Sequence, residues 1–225
     1  MNKHYTEIAF VLDRSGSMRS CQQAAIDGFN RFLTEQQQTE GRAKLTLVLF
    51  DDEYLVHVRS VPLEEVLPLD EETFTPRNTT ALLDAIGQTV DQLGQSLAAL
   101  PESKRPGQVI VAILTDGLEN ASRRFSWADI AAKIKNQTET YKWTFLFLGA
   151  NQDAIATAAQ LNIAAVNSAS YVADAAGSRA SHSAFSRKAS SLRRAAMGCA
   201  SAADLADAQA RMTDLVQEED DKQRE

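Results

Sequence analysis

Asp13-Arg14-Ser15-Gly16-Ser17 directly follows the apolar run Ile8-Ala9-Phe10-Val11-Leu12, which is typical of a strand buried inside a sheet. The stretch combines a carboxylate and two hydroxyls at alternate positions with a glycine, which allows the backbone to turn tightly. Asp13 therefore stands at the carboxyl end of a predicted strand, where open α/β sheets bind their ligands. Carboxylate and hydroxyl oxygens suit Mg²⁺, Mn²⁺ or Ca²⁺ rather than zinc. Taken alone, the stretch could also be an ordinary turn that caps the next helix.

Two later stretches carry further oxygen-bearing side chains in comparable places. Asn78-Thr79-Thr80 precedes a helix-like segment, and either threonine could simply cap that helix. Thr115-Asp116-Gly117 closes the most apolar run in the middle of the chain, so Asp116 is a second acid at a strand end. An acid before a glycine is also common in tight turns. Three such loops at one sheet edge indicate a shared site more strongly than any one of them alone.

Together these three stretches resemble the metal-ion-dependent adhesion site of the von Willebrand factor type A (vWA) superfamily. The resemblance covers about residues 5 to 166 and implies a metal ligand set of Asp13, Ser15, Ser17, Thr80 and Asp116. In that family the hydroxyls typically contact the cation directly, while one or both aspartates act through water. Thr80 is preferred over Thr79 because residues 80–85 match the family's usual Thr-x-Leu-x-x-Ala segment, although the preceding loop lacks the glycines common there. The compact layout is similar to small stand-alone bacterial members, including those associated with tellurium resistance.

The rest of the chain alternates strand-like and helix-like segments. Further strands are predicted at residues 44–50, 54–61, 141–148 and 163–166, the second of them an antiparallel edge strand, and a turn at 149–153. Alternation of this kind builds a mainly parallel sheet. We therefore predict an α/β, Rossmann-like fold with a mainly parallel central sheet, helices on both faces and a C-terminal helical extension. The predicted divisions are 1–168 for the domain with the metal site, 169–217 for the helical extension and 218–225 for a disordered charged tail.

The predicted extension carries opposite charges on two alanine-rich stretches. Every charged residue in 177–199 is basic, whereas eight acids face three bases in 204–225. Gly198 and Ser201 predict the end of one helix and the start of a second, which should fold back on the first. An apolar stripe at helical spacing follows the second stretch: Leu205, Ala208, Met212 and Leu215. Two roles remain open, a cover for the domain or a docking surface for a partner or for self-association.

The sequence allows two interpretations of several other charged residues. Residues 51–53 could form a second cation site or a solvated hairpin turn, of which the turn is favoured. Asp84 is expected to stabilise the first turn of its helix, or to orient a metal ligand. Glu119 and Asn120 follow Asp116 closely and are expected to line the rim of the site.

The composition excludes several classes of function. The chain has 225 residues and a formal net charge of −7, which argues against general nucleic-acid binding. No apolar stretch is long enough to span a bilayer, and residues 1–5 lack the core of a signal peptide. Cys21 and Cys199 have the spacing of neither a disulfide framework nor a zinc site, which suits a reducing cytoplasm. We predict a cytoplasmic, bacterial-type protein that binds neither nucleic acid nor membrane.

The site itself favours binding over catalysis. Phosphatases of the haloacid dehalogenase type place a second Asp two positions after the nucleophilic Asp, where this chain has Ser15. A phosphate-binding P-loop and a dinucleotide-binding glycine motif are absent from the sequence. A cation held mainly by hydroxyls keeps much of its charge and an open position for an Asp or Glu of a protein partner. We therefore expect a non-enzymatic module; a regulatory subunit of an ATPase, kinase or phosphatase system and a Mg²⁺-dependent phosphohydrolase are the alternatives.

Overall fold

A computed structural model describes residues 1–150 and 154–224 of the chain. Six strands form its central sheet: β1 (Asn2–Asp13), β2 (Arg42–Phe50), β3 (Tyr54–Pro62), β4 (Pro106–Thr115), β5 (Thr144–Ala150) and β6 (Ser168–Tyr171). Their order across the sheet is β3-β2-β1-β4-β5-β6. Among the described strands, β3 is antiparallel to its neighbour and the other pairings are parallel. The predicted α/β, Rossmann-like sheet with an antiparallel edge strand is confirmed.

Helices cover both faces of this sheet. In the described part of the chain they are α1 (Gln22–Gln38), α2 (Leu82–Ala98), α3 (Trp127–Tyr141), α4 (Ala154–Gln160), α5 (Ala175–Met197), α6 (Ala202–Gln209) and α7 (Met212–Arg224). The chain between β1 and α1 forms a short 3₁₀ helix at Gly16–Cys21, and α1 follows it directly. No helix within residues 1–150 and 154–224 combines the length and the apolar character needed to cross a lipid bilayer.

Strand β1 lies inside the sheet because it is apolar on both faces. Its residues 8–12 have no exposed surface. Phe10 faces a core built with α1, α5 and α7, whereas Val11 faces a core built with α2, α3 and α4. A strand with this pattern is stable only where both faces of the sheet are covered.

The parallel strands end at one edge of the sheet. Strand β1 ends at Asp13, β2 ends immediately before Asp51, and β4 ends immediately before Asp116. Because these strands are direct neighbours, three acids lie at the same edge. This edge is where the sequence predicts the metal site.

The last strand differs from its predicted position. The sequence predicts it at residues 163–166, but β6 comprises residues 168–171 and a 3₁₀ turn occupies residues 165–167. Ile163 is nevertheless buried in the core beneath α2 and α3. Its apolar character reflects that packing and does not require a strand. Within the turn predicted at 149–153, residues 151–153 lie outside the described part.

The segment predicted as an extension contributes to the core of the domain. Helix α5 packs against α1, and Phe185 has no exposed surface. The His182 ring stacks on Phe10 with ring centroids 5.9 Å apart. Gly28 on α1 makes room for this imidazole, since a Cβ there would lie 2.5 Å from His182 Nδ1. Helix α5 therefore covers one face of β1.

The two ends around Gly198 and Ser201 match the prediction. Gly198 ends α5 with φ +77°, and Ser201 opens α6 with a capping box. A further break then separates α6 from α7, where the buried Lys188 donates a hydrogen bond to the Ala210 carbonyl. The predicted second helix is thus two helices.

This break divides the predicted apolar stripe. Leu205 lies on α6 with 48% of its surface exposed, whereas Met212 and Leu215 on α7 are buried. The prediction that Leu205 shares the apolar contact was therefore wrong. Met212 and Leu215 join the core that also contains Phe185.

Residues 218–224 form the last turns of α7 rather than a disordered tail. Arg187 on α5 pairs with Glu218 at 2.5 Å, and Arg224 pairs with Asp174 at 3.0 Å. Glu218 of the acidic run therefore meets a basic partner that is distant in sequence, and Arg224 of the same helix pairs with the acid that caps α5.

Candidate metal centre

The first loop of the site follows β1 and carries Asp13, Ser15 and Ser17. Asp13 has no exposed surface, and its oxygens accept hydrogen bonds from the Ser15 amide at 2.6 Å and the Thr115 hydroxyl at 2.5 Å. The Oγ atoms of Ser15 and Ser17 lie 3.0 Å apart. The buried carboxylate therefore holds the turn that presents both serine hydroxyls.

The second loop presents Thr80 and is bonded to both other loops. The Gly16 amide of the first loop donates to the Asn78 carbonyl at 3.0 Å. Thr80 is buried, and its amide donates to Asn120 Oδ1 at 2.9 Å, whereas Thr79 is exposed. The helix that follows has no side-chain cap, so neither threonine has the capping role.

The third loop carries Asp116 and closes the cluster. Its Oδ1 accepts a hydrogen bond from Ser17 Oγ at 2.5 Å. Gly117 passes close to the other hydroxyls, since a Cβ there would lie 2.5 Å from Thr80 Oγ1 and 3.4 Å from Ser15 Oγ. The structure thus brings the five predicted residues together at one edge of the sheet: Asp13, Ser15, Ser17, Thr80 and Asp116.

Burial disfavours the ionised form of both carboxyl groups. It raises the pKa of Asp13 to about 6, although hydrogen bonds from Thr115 and Ser15 act in the opposite direction. The charge of Asp116 adds to this increase, and burial also raises the pKa of Asp116 itself. A buried and a half-buried carboxyl group close together favour a compensating positive charge.

The donor set fits a hard divalent cation. It consists of two carboxylates and three hydroxyls, and oxygen donors of this kind suit Mg²⁺, Mn²⁺ and Ca²⁺. In residues 1–150 and 154–224, no three His, Cys, Asp or Glu side chains are grouped as they would be in a conventional metal cluster. The nearby thiol of Cys21 is buried, and burial with the charges of Asp116 and Asp13 raises its pKa to about 11. A thiol that stays protonated is a poor metal ligand.

Asp51 contacts both the first and the second loop of the site. It has no exposed surface, and its Oδ2 lies 2.6 Å from Arg77 Nε and 3.2 Å from Arg14 Nε. Its backbone carbonyl accepts the Ala81 amide at 2.7 Å. Arg14 belongs to the first loop, and the other two partners flank Thr80. Asp51 therefore fixes the position of one loop relative to the other.

The sequence predicts residues 51–53 as a turn or as a second cation site, and the structure contains the turn between β2 and β3. The guanidinium partners of Asp51 argue against a cation at that carboxylate. A signal for its role was present, because Asp51 follows a buried strand in the same way as Asp13 and Asp116. The two arginines that bind it could not be assigned from the sequence.

Two further acids hold the third loop in place. Glu119 Oε1 accepts the Ser122 amide at 2.8 Å, and its Oε2 accepts the Leu83 amide at 2.9 Å. Asp84 lies in the first turn of α2 and accepts the amides of residues 123, 124 and 125 at 2.9–3.0 Å. Glu119 and Asp84 thus connect this loop to the first turn of α2.

Solved structures with a related fold include several vWA domains. The von Willebrand factor type A protein from Catenulispora acidiphila matches with a TM-score of 0.53 and 16% identity, over 86% of this chain and 42% of that chain. The manganese-loaded TRAP protein of Plasmodium vivax matches with 0.55 and 16% identity, over 80% and 72%. Proximal thread matrix protein 1 from the mussel byssus matches with 0.57 and 14% identity, over 84% and 46%.

At these identities the similarity establishes the fold, and the chain has a vWA-type fold. It spans less than half the length of the Catenulispora and mussel proteins. No family model matches the sequence, and no curated protein matches it. The narrower resemblance to tellurium-resistance-associated proteins stays a prediction.

Proposed function

We propose that this vWA module binds a divalent cation and, through it, an acidic side chain of a protein partner. One observation carries the proposal, namely that oxygen donors from three separate loops form a single cluster at the carboxyl edge of the sheet. Asp13, Ser15, Ser17, Thr80 and Asp116 would hold Mg²⁺, with Mn²⁺ or Ca²⁺ as alternatives. The bound cation would supply a positive charge to which a partner carboxylate can bind.

The five residues would contribute in different ways. The hydroxyls of Ser15, Ser17 and Thr80 are uncharged donors, so they leave the charge of a cation largely uncompensated. Asp13 is enclosed and orders the first loop through its own hydrogen bonds. Ser17 is exposed and Asp116 is partly exposed, so these two define the side from which a partner approaches.

A non-enzymatic role is proposed because Asp13 is poorly positioned to attack a substrate. Both of its oxygens accept hydrogen bonds, and its side chain has no exposed surface. A nucleophile must be within reach of the bond that it attacks. This burial supports a binding role over a Mg²⁺-dependent phosphohydrolase. A regulatory subunit of an ATPase, kinase or phosphatase system would use the same surface and would differ in its partner.

Two further parts of the proposal concern location and assembly. The free thiols of Cys21 and Cys199 support a reducing, cytoplasmic location. Self-association through the C-terminal helices is a second mode of interaction, for which the exposed Leu205 on α6 is the available apolar residue.

Calorimetric titration with Mg²⁺ and Mn²⁺ tests the metal site. We expect the double variant Ser15→Ala/Ser17→Ala to weaken cation binding by at least about tenfold, because two direct donors are removed. The cation should also raise the unfolding temperature of the wild type but not of this variant, since binding to the folded state stabilises it.

Ser20→Ala is the matched control, because Ser20 is an exposed serine of the same 3₁₀ helix outside the donor set. Unchanged cation affinity in the double variant would contradict the assignment. Steady turnover of simple phosphoesters by wild type, lost in the double variant, would favour the phosphohydrolase.

A further inference from the structure

Leu118 is an exposed apolar residue beside the predicted metal site. It stands two positions after Asp116, and 65% of its surface is exposed. A single exposed leucine is unremarkable when it lies on a mobile loop or far from any site. Leu118 differs because its loop is fixed on both sides and lies against the donor cluster.

Hydrogen bonds fix the loop on either side of Leu118. Before it, the Gly117 amide donates a hydrogen bond to Thr115 Oγ1 at 3.2 Å. After it, the Asn120 amide donates to the Thr80 carbonyl at 3.0 Å, and Asn120 Oδ1 accepts the Thr80 amide. The backbone is thus ordered without any contribution from the leucine side chain.

The distance from Leu118 to the donor cluster is short. A Cβ on Gly117 would lie 2.5 Å from Thr80 Oγ1, so the Gly117 Cα is within about 4 Å of that oxygen. Consecutive Cα atoms are about 3.8 Å apart, which places the Leu118 Cα within about 8 Å of Thr80 Oγ1. An extended peptide covers a distance of this size within about two residues.

The exposed residues around the cluster differ chemically from Leu118. Ser17, Arg19 and Asn120 are exposed on the neighbouring parts of these loops. They offer hydroxyl, guanidinium and amide groups, which suit a carboxylate. Leu118 offers an apolar side chain on an ordered backbone, and burying such a side chain against a partner favours binding.

We propose that the partner presents its Asp or Glu with a large apolar side chain one or two residues away, and that this side chain packs on Leu118. The proposal rests on the metal-dependent binding of an acidic residue described above. It adds the chemical class of the flanking residue, which the metal cannot select because it contacts only the carboxylate. Leu118 is then the residue that gives the site sequence preference.

Two short peptides test this preference. One has a central glutamate flanked on both sides by glycines, and the other has the same length with leucines directly flanking the glutamate. Their dissociation constants are measured by NMR titration of the full chain in Mg²⁺ and again in chelator. We expect the leucine-flanked peptide to bind wild type about tenfold more tightly in Mg²⁺, as apolar burial at one side chain provides.

Variants then assign the preference to its residue. Leu118→Ser should bind both peptides with equal affinity while retaining the Mg²⁺-dependent binding of the glycine-flanked peptide. Leu67→Ser is the matched control. Leu67 is 78% exposed and comes after β3, which ends near the start of β2, away from the carboxyl edge that carries the metal site. It should keep the wild-type preference.

The possible failures can be told apart. Equal binding of the two peptides to wild type, abolished by chelator, would overturn the role of Leu118 and leave the metal-dependent function intact. A leucine preference that survives in Leu118→Ser, or that survives in chelator, would also overturn it. Absence of Mg²⁺-dependent binding for both peptides would overturn the proposed function and this inference together.

Discussion

A carboxylate with no exposed surface loses its hydration, and Asp51 regains favourable interactions from the guanidinium groups of Arg77 and Arg14. These contacts join a residue of the first metal loop to a neighbour of Thr80. Metal affinity depends on how well such supporting contacts hold the donors in place. The position of Thr80 is therefore expected to depend on Asp51, although Asp51 is not in the predicted donor set.

We predict that Asp51→Asn weakens Mg²⁺ or Mn²⁺ binding by about 10- to 100-fold, as substitutions of residues that support metal ligands commonly do. The amide cannot neutralise two guanidinium groups, so the Thr80 loop should lose its fixed position. Calorimetric titration of the folded protein measures the effect. Arg77→Gln should weaken cation binding in the same direction, because Arg77 is the partner on the Thr80 side.

Asp91→Asn serves as the control, since it removes the same charge from a partly exposed ion pair with Lys133 on helices α2 and α3. If Asp51→Asn lowered the unfolding temperature but left the cation affinity of the folded protein unchanged, Asp51 would have a role in stability alone.

At the level of single elements, boundaries set by local chemistry were predictable. The capping box opened by Ser201 and the left-handed Gly198 follow from neighbouring residues, as the sequence predicts. Boundaries set by contacts with residues distant in sequence were not predictable. The break between α6 and α7 coincides with a hydrogen bond from Lys188, and the last turns of α7 meet Arg187 of α5.

Helix α7 is expected to depend on its buried face rather than on its ion pairs. Leu215 has 1% of its surface exposed and lies in the core beneath α1 and α5. We predict that Leu215→Ala lowers the free energy of unfolding by about 2–5 kcal/mol, the usual cost of such a cavity. Urea unfolding monitored by circular dichroism measures this loss.

Leu205→Ala is the matched control for Leu215→Ala, because Leu205 is 48% exposed on the adjacent α6. Its effect should stay within about 0.5 kcal/mol. Equal losses in the two variants would contradict the description of α7 as a packed element of the domain.

At the level of the whole molecule, the arrangement of the site followed from the sequence because parallel strands end together. Buried runs ending at Asp13 and Thr115 predict the strands, and strand ends predict a common edge. The support from Asp51 could not be derived in this way. It depends on which side chains from separate loops meet, and one strand end does not reveal its partners.

The stability of the whole fold should depend on pH through His182. Burial lowers the pKa of this histidine to about 4, below its ordinary value of 6.5, and its Nε2 has no hydrogen-bond partner among residues 1–150 and 154–224. The unfolded chain therefore takes up a proton as the pH falls below about 6.5, while the folded protein does not until about 4. Stability contributed by the neutral imidazole is fully present above about pH 6.5 and is lost on acidification.

We predict that His182→Phe, which keeps a ring against Phe10, reduces this acid sensitivity. Between pH 7 and pH 4.5, wild type should lose about 2–3 kcal/mol more unfolding free energy than the variant, because one pKa unit corresponds to about 1.4 kcal/mol. Urea unfolding at several pH values provides the measurement. Parallel pH profiles for the two proteins would show that His182 does not contribute to the acid sensitivity.

The inner position of β1 has a consequence for how the chain is made. Strand β1 emerges from the ribosome before the other five strands of the sheet, yet one of its two neighbours, β4, comprises residues 106–115. Until β4 is synthesised, one edge of this apolar strand stays unpaired. Nascent chains in such a state are prone to aggregate and need chaperones. Asp13 also acquires its Thr115 partner only when β4 arrives. The arrival of β4 therefore closes the second edge of β1 and brings Asp116 to the other predicted metal ligands in the same step.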